Sequence, residues 1–436
     1  MVKVRRRIAR PVQTVRNQGP ATPDETSKVQ SVPMRTRYGL SPWVHALTAP
    51  RPVSPRFRGD RTADVVVVGA GITGCAVAYA CAKAGLDTVV LEAARIGQGS
   101  SGRGAGFLAA VPGPSFRDVV AAHGLRDARH VFQAWRRGAA EGEALLRRLR
   151  ISCQLTPRDS VVVARDDDAR HLLREFDARH AAGLGLSWQT PRWLQTKTKL
   201  RVAGGIRVPG GFTLDPYRAC LGLATAGARR GAAYFEQSPV TNVRFTRTEA
   251  DVITTRGTIR AGMVVVTTGS ATAAFKPLQR HFTRRETYCV LTEPIAASVR
   301  KQLADPALVL ADRVTMPHLM RWAAGDRLLI GGADQDETSA KAKPSVLVQR
   351  TGQLMYHLLM TYPAISGLRP EYGWDATYGD SSDGLMYVGA HRNYPHHLFA
   401  LGGSGSVTGA FVASRIVLDA LRSTSDKADR VFGWTR

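Results

Sequence analysis

The stretch ADVVVVGAGITG, residues 63–74, decides the fold class of this 436-residue chain. Its run of four valines predicts a buried strand, and the alanine-rich residues 72–84 predict a helix. The glycine pattern G-x-G-x-x-G joins them: Gly69 permits a tight turn, Gly71 lets backbone approach a ligand, and Gly74 lets helix pack on strand. The stretch therefore predicts a strand–turn–helix unit whose helix N-terminus binds phosphate.

The residue that makes this pattern specific is Glu92. It ends a second predicted strand, residues 87–92, and lies 21 residues after Gly71. An acid at this place accepts hydrogen bonds from ribose hydroxyls and disfavours a 2′-phosphate, which argues against NADP. A six-residue glycine pattern alone is common by chance. A dinucleotide site is predicted here because the pattern follows a strand, precedes a helix and is followed by an acidic residue at the expected spacing.

Three further segments favour FAD over NAD. The loop at 97–106, GQGSSGRGAG, has side chains small enough for backbone to lie against a flat ligand. Residues 263–269, MVVVTTG, predict a strand that closes the nucleotide-binding sheet. Residues 398–406, LFALGGSGS, predict a strand, a glycine turn and a second helix N-terminus, which can stabilise negative charge on a flavin ring.

The order of helix and strand patterns predicts an α/β fold, α+β overall. It consists of a doubly wound, Rossmann-like FAD-binding domain with an inserted, mostly antiparallel sheet as substrate domain. The expected boundaries are a disordered basic tail at 1–37, an N-terminal arm at 38–62, a discontinuous FAD-binding domain at 63–150, 205–280 and 363–422, and a substrate domain at 151–204 and 281–362.

The net charge of +25 raises the question of a polyanionic partner. Residues 1–62 alone hold thirteen basic and three acidic side chains, so part of the excess is local. No RNA-binding motif is present and aromatic residues do not interleave with the basic run, so a solvated tail is the favoured interpretation and nucleic acid is not expected as a partner. Binding of this tail to a polyanion stays open.

The cysteines and the apolar runs bear on metal sites, disulfides and the cellular compartment of the protein. The five cysteines are scattered, with no C-x-x-C pair and no Cys/His cluster, so the sequence predicts neither a metal site nor a disulfide framework. No apolar segment precedes residue 64, which argues against a secretory signal, and glycines interrupt the uncharged runs at 65–82 and 398–414, which argues against membrane spans. A cytoplasmic setting is expected, with a mitochondrial presequence as the open alternative.

The chain resembles FAD-dependent oxidoreductases of the D-amino-acid oxidase type, which include glycine, sarcosine and γ-glutamylputrescine oxidases. The resemblance runs from about Tyr38 to Leu421. It is carried by ADVVVVGAGITG with Glu92, SSGRGAG (100–106), GGFTLDPYR (210–218), VVVTTG (264–269), GDRLLIGG (325–332), and WDATYGDSSDGLMYVG with LFALGGSGSVTG (374–409).

The resemblance implies a set of FAD-binding residues along the chain. They are Gly69, Gly71, Ile72, Thr73, Gly74, Glu92 and Ala93 at the ADP half, Ser100, Ser101, Arg103, Gly104, Ala105 and Gly106 at the pyrophosphate and flavin, Val240 at adenine, Thr268 and Gly269 after the closing strand, and Gly403, Ser404, Gly405, Ser406, Val407 and Thr408 at the flavin pyrimidine ring.

Three departures from the family pattern bear on cofactor and substrate. Covalent members carry a flavin-linking Cys or His, but residues 93–106 contain neither and residues 374–377 contain no Cys, which implies non-covalent FAD. The usual Gly-x-Ser-Gly-His-Gly turn loses its His and last Gly at 402–407. Gly409 stands where sarcosine oxidase has a carboxylate-binding Lys, so sarcosine itself is not the expected substrate.

The activity that the resemblance implies is oxidation of a C–H bond next to an amine nitrogen. A hydride passes to flavin N5, and O₂ or another acceptor reoxidises the flavin. Arg321 and Tyr288, on predicted strands of the inserted sheet, and Tyr387, beside the expected flavin, are the substrate-pocket candidates; a structural role in the sheet is the alternative for each. Two other functions stay open: a hydroxy-acid or polyol-phosphate dehydrogenase at a membrane surface, and a polyanion- or RNA-associated flavoprotein.

Overall fold

Two sheets organise the chain. The computed structural model describes residues 35–47, 51, 53–164, 168–246, 248–312, 318–403 and 407–436. The expected disordered tail therefore lies outside the described residues up to position 34, and so do Ser404, Gly405 and Ser406 of the expected flavin turn. Residues Thr36–Arg436 form one compact unit.

Nine α-helices occur among the described residues. They are α1 (Pro42–His45), α2 (Ile72–Lys83), α3 (Phe116–Arg148), α4 (Ala169–Ala181), α5 (Pro191–Thr198), α6 (Pro216–Ala228), α7 (Ala297–Arg300), α8 (Lys343–Thr361) and α9 (Val407–Leu421). Within α3 the backbone is non-helical at Gly124 (φ 81°, ψ 165°), so two helices meet there.

The strands of the described residues are numbered along the chain. They are β1 (Arg37–Tyr38), β2 (Arg61–Val68), β3 (Thr88–Leu91), β4 (Phe107–Leu108), β5 (Thr156–Ala164), β6 (Ser187–Gln189), β7 (Gly204–Thr213), β8 (Ala233–Phe235), β9 (Val240–Phe245), β10 (Ala250–Thr254), β11 (Gly257–Gly269), β12 (Thr283–Thr292), β13 (Leu308–Asp312), β14 (Leu319–Ala323), β15 (Arg327–Asp336), β16 (Pro370–Asp380), β17 (Tyr387–His391) and β18 (Tyr394–Leu401).

The first sheet is the doubly wound one. Its order is β17-β18-β11-β2-β3-β8, and every neighbouring pair from β18 to β8 is parallel. A hairpin of β9 and β10 extends from β11. The valines of β2 alternate between two apolar clusters, with Val65 and Val67 facing α2, α6 and α9 and Val66 and Val68 facing the opposite layer. This burial on both faces is the reason for the unbroken apolar run.

The second sheet is mostly antiparallel. Its order is β1-β16-β12-β15-β14-β13-β5-β7-β4, with β6 pairing β7, and β1–β16 and β13–β5 are its parallel pairs. One face packs on α8, with Leu354 and Leu358 fully buried. The other face carries Cys289, Leu329 and Trp374 and packs towards α1 and α6.

The strand partners differ from the expected domain boundaries at two places. β7 and β16 lie in segments expected in the FAD-binding domain, yet both pair into the antiparallel sheet. β16 pairs with β12, whose residues lie about 90 positions earlier, and a local sequence pattern does not reveal so distant a partner.

The N-terminal arm lies against the rest of the unit and begins before the expected boundary, since Arg37, expected in the disordered tail, belongs to β1. β1 pairs with β16, and the Trp43 indole is buried, with Nε1 donating to Gly104 O at 2.9 Å. Further along, Arg51 forms a bidentate pair with Glu236. The arm thus contacts residues of both sheets.

Candidate functional site: a cavity at the carboxyl ends of the parallel strands

A cavity of about 650 Å³ opens where β2, β3, β11 and β18 end. Its floor comes from the residues that follow these strands, and its roof from Tyr378 and Gly379 of β16 and Arg284 of β12. The carboxyl edge of a parallel sheet is where open α/β folds bind ligands, because strand ends and helix N-termini meet there. The volume is in the range of small-molecule and cofactor sites.

Glu92 forms one end of this cavity. Its Oε2 accepts a hydrogen bond from Ala70 N at 2.8 Å, and its Oε1 accepts one from Ala94 N, also at 2.8 Å. These bonds fix the carboxylate beside the glycine turn. A carboxylate accepts about four hydrogen bonds in all, so both oxygens keep lone pairs for ribose hydroxyls.

The N-terminus of α2 forms the next part of the wall. No side chain of its own first turn caps the helix; instead Ser101 Oγ accepts from Ile72 N at 2.9 Å. At Gly74, a Cβ would lie 1.9 Å from Gly69 O and 2.7 Å from Thr267 Oγ1, so only glycine permits this approach of helix to strand. Gly71, Ile72 and Thr73 line the cavity here, so the positive end of the helix dipole faces it and favours an anion.

The small-residue loop after β3 is fixed between the two sheets. Ser100 Oγ donates to Thr377 O at 2.6 Å, and Trp374 Nε1 donates to Arg103 O at 2.8 Å. The Arg103 guanidinium donates to Asp375 O (2.8 Å) and Asp375 Oδ1 (3.1 Å). Arg103 therefore shapes the loop and pairs with the roof strand, while Ser100, Ser101 and Gly104 line the cavity.

The far end of the cavity is mostly apolar and glycine-rich. It is lined by Gly113, Trp135, Gly384, Met386, Gly402, Gly403, Val407 and Gly409. Trp135 is 4% exposed, and its Nε1–H has no hydrogen-bond partner. A buried donor without a partner costs roughly 1–3 kcal/mol, so this one is suited to an acceptor on a ligand.

Most of the expected FAD residues come together in this one cavity. Those lining it are Gly69, Gly71, Ile72, Thr73, Glu92, Ala93, Ser100, Ser101, Gly104, Val240, Thr268, Gly269, Gly403 and Val407. Behind the lining lie Gly74, Arg103, Ala105, Gly106 and Thr408, of which Thr408 donates from Oγ1 to Ala109 O at 2.7 Å.

Arg321 lies behind the loop at 97–106 and is not among the residues that line the cavity. It is 4% exposed, and its guanidinium donates to Ala105 O (2.7 Å), Leu214 O (3.2 Å) and Trp322 O (3.2 Å). Burial lowers the pKa of Arg321 to about 10. With its donors directed at backbone carbonyls, this arginine positions the loop; the geometry does not offer it to a substrate carboxylate.

Tyr288 and Tyr387 are likewise placed away from the cavity lining. Tyr288 faces α8, donates to Glu286 Oε2 at 2.8 Å and is 1% exposed; burial, followed by the Glu286 hydrogen bond, raises its pKa to about 12. Tyr387 stacks on Trp434 at 4.5 Å, with the Arg436 guanidinium 3.7 Å from its ring centre. Both positions depend on the direction of a strand side chain, which the local pattern leaves ambiguous.

Four of the lining residues were not predicted from the sequence: Trp135, Met386, Tyr378 and Arg284. Tyr378 OH donates to Asp334 Oδ2 at 2.6 Å, and burial raises the pKa of Tyr378 well above its usual value. Tyr378 and Met386 lie within WDATYGDSSDGLMYVG, a stretch that was informative for fold but not for individual roles. Trp135 on α3 resembles any core aromatic in sequence, so no local signal distinguishes it.

Comparison with known proteins identifies the cofactor. A family model described as FAD dependent oxidoreductase matches residues 64–420, which is most of the chain. The chain belongs to the FAD-dependent oxidoreductases. This family membership confirms the fold class and cofactor that the sequence predicted.

Individual relatives of this FAD-dependent oxidoreductase are distant but match over most of their length. γ-Glutamylputrescine oxidoreductase of Escherichia coli is 26% identical over 380 residues, covering 84% of this chain and 85% of the relative. Glycine oxidase of Bacillus licheniformis is 23% identical, covering 78% and 87%. The crystal structure of glycine oxidase from Geobacillus kaustophilus superimposes with a TM-score of 0.71 at 21% identity, covering 86% and 99%.

The residues present fit FAD on three observations. The helix α2 N-terminus reaches the cavity through a contact only glycine permits, Glu92 is held at the strand end, and Trp135, whose Nε1–H has no partner, is a lining residue. No Cys or His occurs among the described lining residues, so none of them offers a covalent link to the flavin. Among the described helices, none is long and apolar enough to cross a membrane.

Proposed function

We propose that the protein oxidises the C–H bond next to the nitrogen of a small amine or amino acid, with FAD held non-covalently in the 650 Å³ cavity. The observation that carries the proposal is the continuity of this cavity. It runs from Glu92 at the nucleotide end to an apolar end at Met386 and Gly403, and the antiparallel sheet covers it through Tyr378.

The relatives support this substrate class over the alternatives. By their names, the two curated relatives act on glycine and on γ-glutamylputrescine, and they match this chain over 78–84% of its length. The polyanion-binding alternative and the membrane setting of the dehydrogenase alternative drew on the basic N-terminal segment, most of which lies outside the described residues.

When bound, FAD supplies the hydride acceptor, and the chain's residues bind, orient and exclude water. The apolar side chains of Trp135, Met386 and Val407 exclude water at the far end of the cavity. Tyr378 lies at the roof with its hydroxyl fixed on Asp334, so it is positioned to pack on a substrate. These residues order the substrate so that its C–H bond faces the cofactor.

Arg284 replaces Arg321 as the candidate partner for a substrate carboxylate. It is the one basic residue among the described lining residues, and its guanidinium pairs with Glu337 at 2.7 Å with the side chain 56% exposed. A carboxylate can exchange with Glu337 for the guanidinium fork. An amine substrate without a carboxylate leaves that pair intact, so Arg284 distinguishes the two substrate types.

We further propose that the protein works in the cytoplasm and passes electrons to O₂ or another soluble acceptor. All five cysteines are buried and free, which agrees with a reducing compartment. Cell fractionation tests the compartment, and hydrogen peroxide production during turnover tests the acceptor.

The experiment that tests the activity is anaerobic addition of substrate pools to the FAD-loaded protein. The pools are amino acids, primary and secondary amines, α-hydroxy acids, and polyol phosphates. We expect the oxidised-flavin absorbance near ~450 nm to be lost with an amine or amino-acid pool. Reduction only by hydroxy acids or polyol phosphates would overturn the proposal.

Once a substrate is known, a matched pair of variants tests Arg284. Arg284→Gln should raise KM for a carboxylated substrate, while Arg260→Gln, an ion-paired arginine of similar exposure (58%) outside the cavity lining, should not. Equal KM values for both variants on such a substrate would rule out Arg284 as its carboxylate partner.

A further inference from the structure

A second site lies on the antiparallel sheet, where three metal-type side chains converge. Asp312 ends β13, His318 immediately precedes β14, and His357 lies on α8. Of the described residues, only these three bring His, Cys, Asp or Glu ligand atoms together as a group of three or more, all within 4.8 Å. We infer that they bind a divalent transition-metal ion of the Zn²⁺ type.

The geometry matches a shared ligand sphere. Asp312 Oδ2 lies 3.2 Å from His318 Nδ1 and 3.2 Å from His357 Nε2. Ligand atoms about 2.0–2.2 Å from a tetrahedral Zn²⁺ are separated by roughly 3.3–3.5 Å, so these distances need little change to admit an ion. Two imidazoles with one carboxylate make a donor set that suits Zn²⁺ and related metals.

Hydrogen bonds with His318 backbone atoms hold Asp312 in place. His318 N donates to Asp312 Oδ1 at 2.8 Å, and Asp312 N donates to His318 O at 3.2 Å. The other carboxylate oxygen, Oδ2, is thereby turned towards both imidazoles. The two rings are stacked with centres 3.8 Å apart, so one ring must rotate for both nitrogens to face the same ion. Outer-shell hydrogen bonds of this kind fix ligands before metal arrives.

An ion has a route to the three ligands. A cavity of about 420 Å³ is lined by Asp312, His318 and His357 together with Lys199 and Arg201. The side chains of Asp312 and His357 are 20% and 24% exposed, so they are reached from this cavity. It also leaves room for a water molecule in the fourth position of a tetrahedral ion.

The metal would join the antiparallel sheet to helix α8, which packs on it. Asp312 and His318 flank the β13–β14 connection, and His357 belongs to α8. Arg321 follows His318 by three residues and donates a hydrogen bond to Ala105 O in the loop at 97–106. The ligands are spread over 46 positions of sequence, from 312 to 357, without a short motif. This explains why Cys and His spacing predicted no metal site.

In the competing interpretation no metal is bound, and both histidines donate hydrogen bonds to the Asp312 carboxylate. His357→Gln separates the two, because Gln keeps an N–H donor for Asp312 but is a poor ligand for Zn²⁺. His171→Ala is the matched control, since His171 is an exposed helical histidine outside the group.

The test is Zn²⁺ titration of the chelator-treated, FAD-loaded full chain against a chromophoric chelator, with flavin content confirming that each variant is folded. We expect one Zn²⁺ per chain in the wild type and in His171→Ala. His357→Gln and His318→Ala should each weaken binding by at least about 100-fold, since even outer-shell losses reach that size. Absence of a one-equivalent site, or equal affinity in His357→Gln, would overturn the inference.

Discussion

Replacing Gly74 by alanine tests whether the α2 N-terminus is the phosphate site. The new Cβ would lie 1.9 Å from Gly69 O, a backbone atom, so α2 must move from β2 by roughly 1.5 Å to restore a normal contact. Overpacking of this kind costs about 1–3 kcal/mol. Alanine has a higher helix propensity than glycine, which offsets about 1 kcal/mol of this cost. The free energy of unfolding should therefore fall by up to about 2 kcal/mol.

The same displacement should weaken FAD binding. Loss of one N–H hydrogen bond to a charged phosphate costs about 1.5–3 kcal/mol, which corresponds to a rise in Kd of about 10- to 150-fold. The control is Gly352→Ala, also in a helix, where the added Cβ meets nothing within 4 Å and only the gain in propensity remains.

Two assays measure these effects. Urea unfolding of the FAD-free protein gives the change in stability, and quenching of flavin fluorescence on titration gives Kd. Gly74→Ala should fall below the wild type in both, and Gly352→Ala should be equal or better in both. If Gly74→Ala binds FAD as tightly as Gly352→Ala, the phosphate does not lie at this helix and the reasoning fails.

Three other substitutions have distinct expected results. Arg321→Met should lower the free energy of unfolding by about 3 kcal/mol or more in urea denaturation, because buried carbonyls such as Ala105 O lose their donor; unchanged stability with lost activity on carboxylated substrates alone would instead make it a substrate residue. Asp383 is buried, which would raise its pKa, but hydrogen bonds from Arg436 outweigh burial and hold the pKa at about 2. Its stabilisation is therefore complete above the unfolded pKa of about 4 and lost as pH falls towards 2, so wild-type stability should fall by up to about 2 kcal/mol over that window and Asp383→Asn should show a shallower slope in pH-dependent unfolding. Trp135→Phe removes the unpaired Nε1–H, so the Kd for FAD should rise about 2- to 10-fold in the flavin-fluorescence titration; an unchanged Kd would show that this donor does not meet the cofactor.

The nucleotide half of the site was predictable because its determinants are local. Residues 63–74 combine an apolar run, a glycine pattern and a helix within twelve positions, and Glu92 follows at the expected separation. Each of these is dictated by short-range geometry: a positive φ of 100° at Gly69, or a Cβ that has no room at Gly74. Such constraints leave a mark in one-dimensional sequence.

The substrate half was less predictable because it depends on which face of a strand a side chain occupies. Tyr288 and Arg321 lie on the antiparallel sheet as expected, but Tyr288 faces α8 and Arg321 is engaged by the loop backbone. A register change of one residue reverses the faces of a strand, and β12 and β15 contain such an irregularity between Glu286 and Tyr288. Only the three-dimensional pairing shows that Tyr378 and Arg284 line the cavity.

The most direct test of the central claim is the flavin content of the purified chain. We expect one non-covalent FAD per chain in the cavity between Glu92 and Met386. Acid precipitation should release about one FAD per chain into the supernatant, as expected for a cofactor held by hydrogen bonds and packing alone. A colourless protein that takes up no FAD on reconstitution, or flavin that stays with the precipitate, would contradict the account.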